Sequence, residues 1–321
     1  MSLVARISQL RARQREASSL CLRSPRLLRA IIARSQGTFL GPYVTPQTFE
    51  LLSGGEQLAS AEREYADGES FFEHFPGTDA STVLRGKRVL DIGCGYGGRT
   101  VWYAEQCAPA SIAAIEISAE VVERCRAFAA RRGHDEIDVR HAFGEDLPFE
   151  DDSFDAVLSY DVQEHVEDPA RTLAEIARVL APGGDVWIVF PTYLGGRASH
   201  LDYLTQVPFL HRIFEPDALL GVVNEFLERE PERYGVRPQP PSRVTPTGRR
   251  ALPSLNGADR TQSLAYIARA GLEVSWFAAE PLVTRRAPVP LASAAERAMR
   301  LLARHDRLPD LLVSHLAFRL R

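Results

Sequence analysis

Apolar positions along this chain change rhythm twice. Up to about Arg85 they recur at helical spacing. Leu27, Leu28, Ile31 and Ile32 share one face after a Ser24-Pro25 start, and Gly37 stops the run. Leu3, Ile7 and Leu10 form a weaker stripe before it, and Thr45-Pro46 opens a short helix that ends near Gly54. From Gly86 to Pro191, short apolar runs alternate with helical stripes. Strands are predicted at Arg88–Ile92, Ser111–Ile117, Ile137–His141, Asp155–Ser159 and Val186–Phe190. Helices are predicted at Arg99–Cys107, after Ser118 through Arg131, and from Asp168-Pro169 to the break at Pro182-Gly183-Gly184. Repeated β-α-β units predict a parallel sheet covered by helices on both sides. From Thr192 the pattern is irregular, with a Pro-rich surface linker at Arg237 to Pro241. A helix at Asn256–Ala270, a strand at Leu272–Phe277, a helix at Leu291–Arg304 and a strand at Leu311–Leu320 follow, the two strands pairing antiparallel at the sheet edge.

Composition narrows the class. With 321 residues, 45% hydrophobic and 25% charged, the chain can bury a core without staples, which excludes collagen-like and disordered proteins. No apolar run approaches the ~18 residues of a membrane helix, and the first thirty residues lack the apolar stretch of a secretory signal. Cys21, Cys94, Cys107 and Cys125 form no C-x-x-C pair, which argues against zinc and suits a reducing cytoplasm. The net charge of −4 gives no reason to expect a polyanionic partner. Two blocks depart from that balance: eight arginines against Glu16 between Met1 and Gln36, and ten acids without a Lys or Arg between Glu145 and Asp168. Solvated faces are the plain reading of both. Within the second block, Glu150, Asp151, Asp152 and Asp155 read as a solvated loop.

The chemistry concentrates in Val89-Leu90-Asp91-Ile92-Gly93-Cys94-Gly95-Tyr96-Gly97-Gly98. A glycine-rich turn at the carboxyl end of a strand lets the backbone approach a ligand closely. Asp91, two residues before the first glycine, suits a ligand carrying an ammonium group. Glu116 ends the second strand, where it can take two ribose hydroxyls. Glu145-Asp146-Leu147 follows the third strand and can accept from an adenine amino group. This set fits S-adenosylmethionine better than a nicotinamide dinucleotide, whose pyrophosphate prefers donors to acids.

With VLDIGCGYGGRT (89–100), IEIS (115–118), GEDLPFEDDSFDAVLS (144–159), QEHVEDP (163–169) and VLAPGG (179–184), the sequence resembles the class I S-adenosylmethionine-dependent methyltransferases. The resemblance is closest to the type 11 group that includes ubiquinone/menaquinone-type enzymes. It implies a Rossmann-like α/β fold with a seven-stranded, mostly parallel sheet and an antiparallel last strand. Residues 1–85 would be a helical extension or lid, and 86–321 the catalytic domain with a cap insertion at about 192–255. It further implies that Asp91, Gly93 and Gly95 line the methionine end and that Glu116 holds the ribose; Cys94, inside the loop, reads as a small side chain packed beneath the cofactor rather than as a nucleophilic thiol. Ile117, Asp146 and Leu147 would meet the adenine, and Tyr160 would lie near the cofactor.

Methyl transfer from a sulfonium is a direct displacement, so alignment dominates, and a base helps when the acceptor is protonated. His165, after the fourth strand, is the candidate base, with shaping of the pocket as its alternative role. Tyr193, His200, Asp202 and Tyr203 lie where similar enzymes cap the acceptor. His200-x-Asp202 offers two ligands, too few for a metal site, so no metal is expected. The expected acceptor is a small organic or lipid-like molecule, with O-methylation favoured and nucleic acid disfavoured. Phe71, Phe72, Phe75, Phe209 and Phe214 read mostly as core. The Arg-rich start reads as a lid or oligomer contact in a cytoplasmic protein; contact with anionic lipid is the second reading. Two rival functions are a non-catalytic cofactor-binding protein and a nicotinamide-dependent oxidoreductase.

Overall fold

The computed structural model describes residues 22–38, 40–42, 54–196, 198–234, 236–281, 310 and 313–321. The stripe at Leu3, the Thr45-Pro46 helix and the Leu291–Arg304 helix lie outside those residues. The strands are β1 (Arg88–Ile92), β2 (Ser111–Glu116), β3 (Asp138–His141), β4 (Phe154–Tyr160), β5 (Leu180–Pro191), β6 (Arg243–Val244), β7 (Arg250–Ala251), β8 (Val274–Pro281) and β9 (Val313–Leu320). Seven of them form one sheet in the order β3-β2-β1-β4-β5-β9-β8. β1 to β5 pair in parallel, and Glu273 and Arg321 exchange N–H···O bonds of 2.8 and 3.0 Å, so the last strand runs antiparallel. Among the described residues, no helix is long and apolar enough to cross a membrane.

The described chain divides into two compact units. The sheet unit draws on the described residues of Phe49–Phe190, Tyr266–Ala278 and Leu316–Arg321. Its strands are buried on both faces, as the near-continuous apolar runs of β1 and β4 require. Helix Gly98–Cys107 follows β1. Helix Ala119–Arg131 starts at Ser118, whose hydroxyl accepts from Val121 N–H, and buries Val121, Val122, Cys125, Phe128 and Ala129. Helix Pro169–Val179 starts at Asp168, which accepts from the N–H groups of Ala170 and Arg171 at 3.0 and 3.1 Å. Helices Gly54–Ala66, Ser70–Glu73 and Ala80–Leu84 also belong to this unit. They and the turn after Glu73 bring Ala61, Phe71, Phe72, Phe75 and Leu84 into the core beside Val89, Ala114, Leu158 and Trp187.

Two local expectations are corrected. Asp155 is no solvated loop acid: it lies in β4 and ties down Arg88 at the start of β1. It accepts the Arg88 backbone N–H at 2.9 Å and pairs with the guanidinium at 2.8 Å. The Pro182-Gly183-Gly184 break does not precede the fifth strand but lies within it. Between Phe154 and Ala156 on β4, β5 runs from Leu180 to Asp185, and Gly183 takes φ +80° in that excursion.

The second unit draws on the described residues of Met1–Thr48, Pro191–Ala265 and Ala279–His315. Its core is helical where the sequence pattern reads as irregular. Helix Pro216–Arg229 carries Pro at its first turn and buries Leu219, Leu220, Val222, Val223 and Leu227. Helix Pro25–Ser35 packs Leu28 and Ile32 into the same cluster, a burial worth about 1.5–3 kcal/mol per side chain. Arg29 adds a two-pronged pair with Glu225 at 2.8 and 2.7 Å. Ser24 stands at the N-cap but makes no side-chain cap bond. The hairpin β6-β7 completes this unit.

Candidate active site

The glycine loop is shaped by backbone demands. Gly93 and Gly95 adopt φ of +76° and +55°, where a side chain is strained. A Cβ on Gly93 would lie 2.2 Å from Val162 Cγ2, and one on Gly98 would lie 2.0 Å from the Ala61 carbonyl oxygen. The N–H groups of Gly93 and Cys94 both donate to the Ile115 carbonyl, at 2.9 and 3.1 Å, fixing the turn against β2. Helix Gly98–Cys107 then begins, and the Glu64 carboxylate accepts its Gly98 N–H at 3.1 Å.

Three acids gather around this loop. Asp91 is buried at the end of β1 and accepts the Thr100 hydroxyl at 2.6 Å. Burial pushes its pKa up, Thr100 and Arg99 pull it back, and Glu116 raises it further. The Glu116 carboxylate is held by backbone N–H donors from Gly95 (3.2 Å), Ile117 (2.8 Å) and Ser118 (3.3 Å). Burial lifts Glu64 from 4.5 to about 7, against the pull of Arg99 and of the Gly98 and Tyr96 backbone. Arg99 does not pair with these acids; its guanidinium lies over the Tyr160 ring, 4.6 Å from the centroid. The Tyr160 hydroxyl is 3.1 Å from His74 Nε2.

Beyond the acids the surface turns apolar. Ile117 and Phe143, just past the ends of β2 and β3, are 62% and 51% exposed. His141 lies between them, 2.9 Å from the Ile117 carbonyl and with its ring 6.0 Å from that of Phe143. The Phe143 carbonyl accepts the Asp146 N–H at 3.1 Å, closing a turn that leaves Asp146 exposed and Leu147 buried. After β4, Asp161 takes φ +55° and Val162 abuts Gly93. Glu164 is buried, and desolvation with the Asp161 charge nearby drives its pKa well above the carboxylate range. The exposed His165 ring has Nε2 3.6 Å from Glu164 Oε1. Cys94 is buried with its Sγ 3.8 Å from that of Cys125; this contact and burial push its thiol up, against a nucleophilic role.

The remaining candidates belong to the second unit. Tyr193 is buried with its ring 5.2 Å from that of His211. Tyr203 is half-buried, its hydroxyl pushed up by burial, and His200 sits at φ +52°. Sequence reasoning missed Glu64, His74 and Phe143. Arg99 stood inside the recognised motif without a role.

Residues 90–188 match the family model described as "Methyltransferase domain". Over those residues, from β1 into β5, the chain carries a methyltransferase-domain sequence of the type 11 group. S-adenosylmethionine is the cofactor of such methyltransferase domains. The phthiotriol/phenolphthiotriol dimycocerosates methyltransferase 1 of Mycobacterium ulcerans is 37% identical over 107 residues, which cover 33% of this chain and 38% of that protein. The fatty-acid O-methyltransferase of Mycolicibacterium smegmatis is 36% identical over 109 residues, covering 33% and 38%. The chain thus spans 38% of the length of these curated relatives. A solved S-adenosylmethionine-dependent methyltransferase from Mesorhizobium loti is 18% identical, with a TM-score of 0.45 over 80% of this chain and 97% of that one.

Proposed function

We propose that the whole protein transfers a methyl group from S-adenosylmethionine to an oxygen of a small organic or lipid-like acceptor. The observation that carries the reading is the pair of buried carboxylates, Asp91 and Glu116, at neighbouring strand ends beside a loop that only glycine can form. Acids there suit an ammonium and a diol and repel a pyrophosphate, which disfavours a nicotinamide dinucleotide. The exposed Ile117 and Phe143 next to Glu116 suit the flat face of a purine. The residues present therefore fit the cofactor. Asp91 would hold its ammonium, Glu116 its ribose, Ile117 and Leu147 its adenine with Asp146 at the rim, and Tyr160 would border the methionine end. When bound, the sulfonium supplies an electrophilic methyl. His165 would take the acceptor's proton, and no metal is required of the chain.

The lipid-like acceptor follows from the relatives, whose names specify phthiotriol dimycocerosates and fatty acids. Tyr193, His200 and Tyr203 are the candidate acceptor contacts. Helix Pro25–Ser35 buries Leu28 and Ile32 and pairs Arg29 with Glu225, which supports packing on the protein over lipid contact for that segment, with Leu27 left exposed.

Calorimetry with S-adenosylhomocysteine tests the reading. Asp91→Ala and Glu116→Ala should each weaken binding about 10- to 100-fold, the value of a hydrogen bond to a charged group. Wild-type affinity in both variants would refute the site. Binding without turnover on any fatty acid, fatty alcohol or phenol would favour a non-catalytic binding protein. For His165→Ala, turnover should fall with cofactor affinity kept; unchanged turnover at saturating acceptor removes His165 as the base.

A further inference from the structure

Arg99 takes no part in the scheme above, yet it is the most conspicuous charge beside the glycine loop. Its Nε is buried with no acceptor, and among the described residues none hydrogen-bonds its guanidinium. Two acids lie within electrostatic reach, but both are engaged elsewhere. Asp91 accepts from Thr100 at 2.6 Å and Glu64 from the Gly98 backbone at 3.1 Å. The guanidinium is held by its face instead, over Tyr160, whose hydroxyl meets His74 and whose ring packs against Phe71 at 5.4 Å. An arginine clamped at its face keeps its donor edge for a ligand, and the best complement of that edge is a planar anion bound by two prongs. A buried donor without a partner in a native fold calls for such an explanation.

We propose that Arg99 is a carboxylate receptor of the cofactor site, oriented by Tyr160. The inference rests on the methyltransferase reading. Asp91 and Glu64 make the surroundings too acidic for a phosphate dianion. A zwitterionic amino acid places its positive end towards Asp91 and its negative end towards Arg99. Two bound molecules can carry such a carboxylate: the amino-acid end of the cofactor, or an acid acceptor.

The test uses the full chain with wild type, Arg99→Met and Arg99→Lys, and calorimetric titration with three probes. These are S-adenosylhomocysteine, its decarboxylated analogue, and dodecanoate in the presence of S-adenosylhomocysteine. If the cofactor carries the carboxylate, Arg99→Met weakens S-adenosylhomocysteine at least tenfold and leaves the decarboxylated analogue unchanged. Arg99→Lys, a point charge without the fork, recovers part of the loss. If the acceptor carries it, both nucleosides bind Arg99→Met as they bind wild type, and only dodecanoate weakens tenfold or more. Where wild type does not bind dodecanoate, the cofactor arm alone decides. Equal weakening of both nucleosides, or no change with any probe, overturns the proposal and leaves Arg99 a packing residue. Should Arg99→Met not fold, Arg99→Lys against the same probe pair decides. Absence of S-adenosylhomocysteine binding to wild type is a different failure, that of the methyltransferase reading.

Discussion

Glu64→Gln removes one charge from the edge of the glycine loop while keeping an oxygen that can accept the Gly98 N–H. In the folded protein burial raises the Glu64 pKa from 4.5 to about 7, whereas an unfolded chain keeps it near ~4.3. Between those values the folded state binds more protons than the unfolded one. Wild-type stability therefore falls as pH rises through this window and levels off above about 7. The full span is worth at most about 3.5 kcal/mol, and less for a carboxylate that still touches solvent. The glutamine variant lacks this proton linkage. Its stability relative to wild type should grow by about 1–3 kcal/mol from ~pH 5 to ~pH 8, with most of the gain below ~pH 7. Trp102, Trp187 and Trp276 are the chain's three tryptophans and all lie in the sheet unit, so fluorescence-monitored urea unfolding reports on the right place. The experiment compares both proteins at several pH values and one ionic strength. A stability difference that is the same at both ends of the range, or that shrinks with rising pH, refutes the reasoning.

Gly93→Ala combines a strained φ of +76° with a methyl 2.2 Å from Val162 Cγ2, so it should cost about 2–4 kcal/mol. Adding Val162→Ala should return the packing part of that loss and leave the backbone part, as read by urea unfolding. Thr100→Val strips the buried Asp91 carboxylate of its 2.6 Å donor and should cost about 1–3 kcal/mol at neutral pH; an unchanged midpoint would show that the bond contributes nothing. Burial lowers His211 from 6.5 to about 4, so the second unit should be fully stable above the unfolded value and lose stability as pH falls towards 4. Resolved imidazole resonances should place its midpoint near 4, and a midpoint near 6.5 would contradict the burial argument.

The parts of the fold set by neighbours in sequence were readable in advance. β1 runs from Arg88 to Ile92 as its apolar run predicts, and Ser118 and Asp168 start the helices they precede. Glycines at 93 and 95 announce positive φ because few other residues tolerate it. What escaped depends on contacts far apart in the chain. Glu64 reaches Gly98 from a helix whose apolar stripe, Leu58, Ala61 and Tyr65, is thin and begins at Gly54-Gly55, a pair that reads as a stop. Helix Pro216–Arg229 had its signal in Glu215-Pro216 and in Leu219, Val223 and Leu227, but the surrounding prolines and aromatics outweighed it. Phe143 reads as core by type, and only the structure shows it half exposed at a strand tip.

The described chain passes between its two compact units at 190/191, 265/266, 278/279 and 315/316, and once more between residues 42 and 54. No contiguous fragment therefore contains one whole unit without part of the other. A piece cut after Phe190 would keep the glycine loop but lack the β9 strand that neighbours β5. Its bared backbone edge would recruit other copies of itself. Dissection by truncation, the usual route to a minimal catalytic core, is thus closed to this protein, and point substitution in the intact chain is the tool that its topology permits.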